Sequence, residues 1–217
     1  MPDYTTRRIA MVDTQVRPSD VTKFPIIQAM LSVPRELLVA HDLKDVAYLG
    51  NNLDVDDGRV VLEPRTFAKM LDALDIRKNE LVLDIGTAYG YSSAVIAQMA
   101  EAVIAVEDDD ARARDAQSAL IDLNYDNVVV HQGPLAEGAA EHGPFDVIVV
   151  QGGVAEISKN LEAQLKIGGR IACLFMDGQL GEVRLGMKTE AGISWRQIFN
   201  ASAPVLAGFA KKQEFCL

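Results

Sequence analysis

The chain has 217 residues, with 21 Lys plus Arg against 31 Asp plus Glu, a net charge of −10, 49% hydrophobic residues and 24% charged ones. That length suits one domain, or one domain with an appendage, and the balance excludes a disordered chain. The acidic excess argues against a large polyanionic partner such as nucleic acid, whose binding needs basic groups to neutralise phosphates.

In chain order, MPDYTTRRIA has no apolar signal-like core, and no later apolar run approaches membrane-spanning length, so a cytoplasmic protein is expected, with no membrane partner. Residues 1–57 read as irregular and partly helical, with a helical stripe of Phe24, Ile27, Met30 and Leu31. GRVVLEP, residues 58–64, reads as an entry into the helix EPRTFAKMLDAL, with Pro64 in the first turn and Phe67, Met70, Leu71 and Leu74 on one face. From there strands and helices alternate to about residue 176. The strands are ELVLDIG, AVIAVE, NVVVHQ, FDVIVVQ and GGRIACLF; the helices are YSSAVIAQMA, DARARDAQSALIDL and EISKNLEAQL. Short strands of nearly continuous apolar character imply a parallel sheet covered on both faces, a doubly wound α/β fold. GEVRLGMKTEAGISWRQIF then reads as a hairpin turning near Gly192. Of the two cysteines, Cys173 reads as a small core residue, and with Cys216 it makes neither a disulfide framework nor a zinc pattern. The histidines, His41, His131 and His142, lack ligand spacing, so no metal is expected.

The stretch LVLDIGTAYGYSSAVIA places Asp84 at a strand end, a turn containing Gly86, Thr87, Ala88 and Gly90, and a helix opening at Tyr91. The next strand ends in Glu107, where an acid can accept hydrogen bonds from ribose hydroxyls. A dinucleotide site wants G-x-G-x-x-G, which is not met. The spacing follows the D/E-x-G-x-G-x-G loop of S-adenosylmethionine-dependent methyltransferases, with Ala88 in the place of the middle glycine. If the φ of Ala88 is positive, it carries about 1 kcal/mol of strain or more. Two roles stand open for Asp84: a water-mediated cofactor contact, or a cap on the turn. A plain strand–turn–helix with a chance acid downstream fits the glycines alone, but not strand position, loop and acid together.

Over roughly residues 10–176 the chain resembles the protein-L-isoaspartate O-methyltransferases. MVDTQVRPSDV is similar to that family's M-V-x-x-Q-I-R-x-x-G-I, and IIQAMLSVPRELLV to V-x-x-A-M-x-x-V-P-R-E-x-F-V. VLDIGTAYGYSSAVIA, GPFDVIVVQGG and LEAQLKIGGRIA resemble V-L-E-I-G-T-G-S-G-Y-x-A-A-V-L-A, P-F-D-x-I-x-V-T-A-A and L-x-x-Q-L-x-x-G-G-x-L-V. The resemblance implies a class I methyltransferase fold: a Rossmann-like, doubly wound, mostly parallel seven-stranded sheet. A helical N-terminal cap over residues 1–60 would precede a methyltransferase unit over residues 61–217 that ends in an antiparallel hairpin. It also implies methyl transfer from S-adenosylmethionine to isoaspartyl carboxylates of damaged proteins or peptides, a repair reaction. A carboxylate is already nucleophilic, so alignment and proximity carry such a reaction and no strong base is required. The cofactor residues implied are Asp84, Gly86, Thr87, Ala88, Gly90, Tyr91, Glu107, Gly133, Pro134 and Gln151.

Departures from the family pattern cluster at the substrate side. Where the family has G-Q-T-I-S-x-P, this chain has Gly58, Arg59, Val60, Val61, Leu62, Glu63 and Pro64, so Val60 and Leu62 replace hydroxyl residues. The family's G-D-G becomes Gly133-Pro134-Leu135, its A-Y-x-D-x-P-L becomes Ala47 to Leu53 without the acid, and its T-A-A becomes Gln151-Gly152-Gly153. Arg59, Val60, Leu62 and Glu63 are therefore the substrate-region candidates. Arg59 is expected as a solvated loop side chain, with carboxylate pairing as its alternative, and Glu63 as a negative group at a helix N-terminus. A different acceptor, another protein side chain or a small molecule, and a catalytically silent binding role stand as the alternatives. The apolar tail SAPVLAGFAKKQEFCL is expected to pack either on the cap or on a partner.

Overall fold

In the computed structural model, which describes residues 3–56 and 58–211, a seven-stranded sheet runs through the molecule. The strands are β3 (Leu81–Ile85), β4 (Ala102–Glu107), β5 (Val128–Gln132), β6 (Phe145–Val154), β7 (Leu165–Asp177), β8 (Leu180–Thr189) and β9 (Gly192–Asn200). Their spatial order is β5-β4-β3-β6-β7-β8-β9, with the β7–β8 and β8–β9 pairs antiparallel and the other pairs parallel. The order reverses direction between β3 and β6, and the crevice beyond the carboxyl ends of those two strands is where open α/β sheets take ligands.

Strand alternation sorts the core into two faces. On one, Val82, Val103, Val147, Ala172 and Leu174 meet α3 (Pro64–Leu74), α4 (Tyr91–Ala97) and the N-terminal helices α1 (Tyr4–Met11) and α2 (Phe24–Ser32). On the other, Leu83, Ile85, Ile104, Val150 and Cys173 meet Leu135, Leu161 of the short α6 (Lys159–Ala163), Leu206 and Phe209. The helix α5 (Asp110–Asp122) buries Ala113, Ala116 and Leu120, and Asp109 caps it by accepting from the Arg112 N–H at 2.8 Å. Cys173 is a buried free thiol whose burial pushes its pKa up, and Cys216 lies outside the described residues.

Several sequence expectations are corrected. Residues 58–64 are only half a helix entry: Arg59–Val61 form strand β2, antiparallel to β1 (Leu53–Asp56). Pro64 does open α3, and Glu63 stands at its N-cap position, where its carboxylate accepts from the Thr66 hydroxyl at 2.6 Å rather than from a backbone N–H. Within the partly helical first 57 residues, Tyr4–Met11 form a helix capped by Asp3, beyond the stripe the sequence showed. Phe24 is 74% exposed, because α2 buries Ile26, Ile27, Ala29 and Met30 instead. The strand β5 is not covered on both faces; it is a sheet edge, and Val129 is exposed. The expected helix EISKNLEAQL contracts to α6, because Leu165 is already paired opposite Phe145 in the sheet.

Candidate functional site

The turn after β3 folds as a ligand loop does. Gly86 and Gly90 have φ of +83° and +92°, conformations that favour glycine, and Ala88 lies between them at +53°. Ala88 therefore takes the strained branch. Its compensation is visible: the Ala88 N–H donates to Glu107 Oε2 at 2.9 Å.

Asp84 ties the turn to the side chains that follow it. Its Oδ2 accepts from the hydroxyls of Ser92 and Ser93, each at 2.6 Å, and its Oδ1 accepts from Gln151 Nε2 at 2.7 Å. Thr87 joins this buried network through a 2.8 Å contact with the Ser93 hydroxyl. Burial raises the pKa of Asp84, while the hydrogen bonds from Ser92, Ser93 and Gln151 oppose that rise.

Glu107 is fully buried at the end of β4. Its carboxylate accepts from Arg59 Nη1 at 3.0 Å and Nη2 at 2.8 Å, a bidentate pair. It also accepts from Arg112 Nε at 3.1 Å, Ala88 N at 2.9 Å and Asp109 N at 3.3 Å. A carboxylate offers about four acceptor sites, so these donors leave none free.

Arg59 is only 4% exposed and pairs with Asp108 as well. The expectation of a solvated Arg59 is thus overturned, for a physical reason: β2 delivers the side chain into the sheet crevice, where two carboxylates neutralise it. Arg112 fastens the same hairpin from the other side, donating to both Asp56 oxygens at 2.6 Å.

Val60 and Leu62 are buried beside this pair. With Arg35, Phe67, Gly86, Thr87, Tyr91 and Gln151 they line a void of about 10 Å³, room for one water. Arg35 donates to the carbonyls of Ala47 and Leu62, and its guanidinium lies 4.3 Å from the Tyr91 ring centre. Arg35 Nη1 and Tyr91 Oη have no hydrogen-bond partner.

Gly152 and Gly153 are explained by the chain's own C-terminal segment. The Gly153 N–H donates to Pro204 O at 2.8 Å, and the Leu206 N–H to Gly153 O at 2.9 Å. A Cβ on Gly152 would lie 2.6 Å from Leu206 Cδ2, and one on Gly153 would lie 2.8 Å from the carbonyl oxygens of Ala203 and Pro204. A Cβ on Gly86 would lie 3.3 Å from Arg59 Nη2 and 3.6 Å from Leu206 Cδ1. Arg59 and Leu206 therefore meet over the glycine turn. The packing of residues 203–209 into the sheet crevice settles where this part of the tail goes; residues 212–217 lie outside the described ones.

Gly133 and Pro134 lie farther out, with Asp108, Leu135, Ala207 and Gly208, around an open cleft of about 430 Å³. Sequence spacing did not bring His131, Glu141 and His142 together, but the fold does: their ligand atoms lie within 4.8 Å of one another at the surface.

The protein-L-isoaspartate(D-aspartate) O-methyltransferase family matches residues 7–183. The protein-L-isoaspartate O-methyltransferase of Syntrophus aciditrophicus is 40% identical over 79% of this chain and 78% of its own length. Protein-L-isoaspartate O-methyltransferase 2 of Pelobacter propionicus is 36% identical over 76% and 73%. Among solved structures, a protein-L-isoaspartate O-methyltransferase superposes with a TM-score of 0.81 at 24% identity, covering 93% of this chain and 66% of that one. A Plasmodium falciparum structure described as a beta-aspartate methyltransferase in complex with S-adenosyl-L-homocysteine gives 0.77 at 17% identity, covering 95% and 99%. At such identities these two likenesses speak to the fold.

S-adenosylmethionine is the cofactor of this family. The residues as arranged here do not fit it: the acid at the tip of β4 is taken up by Arg59 and its other donors, Leu206 lies against the glycine turn, and the space between turn and substrate-side strand has room for no more than about one water. The family match nevertheless spans most of the chain, which belongs to the protein-L-isoaspartate O-methyltransferase family.

Proposed function

We propose that the chain is an S-adenosylmethionine-dependent O-methyltransferase acting on isoaspartyl carboxylates of damaged proteins or peptides, with its cofactor cleft closed in the resting arrangement. The observation that carries this reading is the placement of Asp84 and Glu107 near the ends of the adjacent strands β3 and β4 around the Gly86–Gly90 turn, in a chain 40% identical to a relative named for that activity. Residues 1–60 serve as the substrate-side cap and residues 61–217 as the methyltransferase unit. The site of action is the cytoplasm, in keeping with a buried free thiol at Cys173; among the described residues no helix is long and apolar enough to cross a membrane. Arg35 positions the substrate-side strand by tying Leu62 to Ala47, and Glu63 holds the start of α3.

One observation favours a second reading, a different acceptor or a silent binding role: Val60 and Leu62 are packed into the core and present no hydroxyl. Incubation with labelled S-adenosylmethionine and an isoaspartyl peptide, beside its aspartyl twin, separates the readings. Repair predicts a methyl ester on the isoaspartyl peptide alone. Ester on neither peptide, from a protein shown to bind the cofactor, favours the second reading. In that event Val60→Thr with Leu62→Ser tests whether lost hydroxyls are the cause, since Leu62 faces a void where Arg35 Nη1 and Tyr91 Oη lack partners.

A further inference from the structure

We propose that this protein carries a built-in plug for its own cofactor site, made of the Arg59 guanidinium and the segment 202–209 led by Leu206, and that the plug sets the affinity for S-adenosylmethionine. The proposal rests on the reading that the crevice is a cofactor site at all.

Three independent features point to the plug. The first is electrostatic. Glu107, the acid placed to receive ribose hydroxyls, already accepts from five donors, two of them the forked nitrogens of Arg59. A hydroxyl pair brings no charge of its own, whereas Arg59 offers the buried carboxylate a full opposite charge in bidentate geometry, so ribose would have to compete with the guanidinium for the same oxygens.

The second is steric. Leu206 is 2% exposed and stands at the switch point between β3 and β6, against Gly86 on one side and Gly152 on the other. The absence of side chains at 152 and 153 admits this segment rather than a ligand.

The third is that the two parts are clasped together. Asn52 Nδ2 donates to Ser202 O at 2.8 Å while Asn52 Oδ1 accepts from Glu63 N at 2.9 Å, so one side chain joins the substrate-side segment to the C-terminal segment. Pro204 also closes on Gly58, the residue before Arg59, with 3.7 Å between Pro204 Cβ and a Cβ built on that glycine. Farther along, Phe209 O accepts from the Ala155 N–H at 2.8 Å, which anchors the outer end of the segment. The cleft beyond it, between Asp108, Gly133 and Ala207, stays open. The base end of a nucleoside has room there, whereas its sugar end meets the plug.

A ligand that needs the open state binds with its intrinsic affinity reduced by the fraction open. Calorimetric titration of S-adenosylhomocysteine into the native chain, Arg59→Ser, Leu206→Ala, the double variant and Arg59→Lys tests this. The plug predicts affinity rising in each of the first two variants, and a double variant at least about tenfold tighter than the native chain, with Arg59→Lys staying near native because it keeps the charge on Glu107. Native chain and double variant saturating alike would overturn the plug and leave the cofactor reading intact. No binding by any variant, with cooperative melting showing each is folded, would overturn the cofactor reading and the plug with it. Leu206→Ala keeps the test open if Arg59→Ser fails to fold.

Discussion

A buried ion pair contributes little relative to an apolar replacement of the whole pair, but removing one partner leaves the other charged and unmatched. Arg59→Ala is therefore expected to destabilise the protein by about 2–3 kcal/mol, at the low end for buried pairs because Arg112 remains on Glu107; urea denaturation measures it, and a change near zero would show the pair is not closed in solution. Ala88 at φ +53° gives a prediction of opposite sign: Ala88→Gly should stabilise by up to about 1 kcal/mol by removing left-handed strain, and a lower urea midpoint would contradict it. For Asp84 the sign follows from linkage. Burial lifts its folded pKa above the ordinary 3.8, so its contribution is present below that value and lost as pH rises through the folded pKa. The melting temperature of the native chain, less that of Asp84→Asn, should thus fall as pH rises above the ordinary carboxylate value; a difference that grows with pH would refute the raised pKa. Sequence alone left Asp84 between water contact and cap, since only the fold brings Ser92, Ser93 and Gln151 onto it.

At the scale of elements, the hydrophobic periods of β3, β4, β6 and the hairpin β8–β9 were legible because each strand's burial is set within its own few residues. The hairpin β1–β2 was not. Its three-residue strand Arg59–Val61 has no period of its own, and its burial comes from the sheet crevice it enters. The C-terminal segment was open for the same reason: nothing in SAPVLAG says what lies beneath it. The glycines do say it, once placed. Gly152→Ala sets a Cβ 2.6 Å from Leu206 Cδ2, a clash expected to cost about 1–3 kcal/mol. Pairing it with Leu206→Ala should recover part of that loss, a coupling a double-mutant cycle reads directly. Gly153→Ala should show no such recovery, because its Cβ would meet the backbone oxygens of Ala203 and Pro204 instead. Equal coupling for both glycines would mean that the segment does not sit as described.

For the whole molecule, family and scaffold were readable from motifs spread over most of the chain, and the relatives bear them out. The state of the cofactor cleft was not readable, because it depends on residues near 59, 107 and 206 that converge only in three dimensions. Substitutions that look like scattered drift, Arg59 in the substrate motif and the glycines near the end of β6, then become one device: a family scaffold whose crevice is filled by its own chain. With the plug in place, the native protein pays an opening cost before cofactor enters. Hydrogen–deuterium exchange with and without saturating S-adenosylhomocysteine reads this most directly, through the amides of Gly153 and Leu206 that clasp the segment to β6. The plug predicts that ligand speeds exchange at both as the segment leaves. Saturation with both amides unchanged or more protected would contradict it.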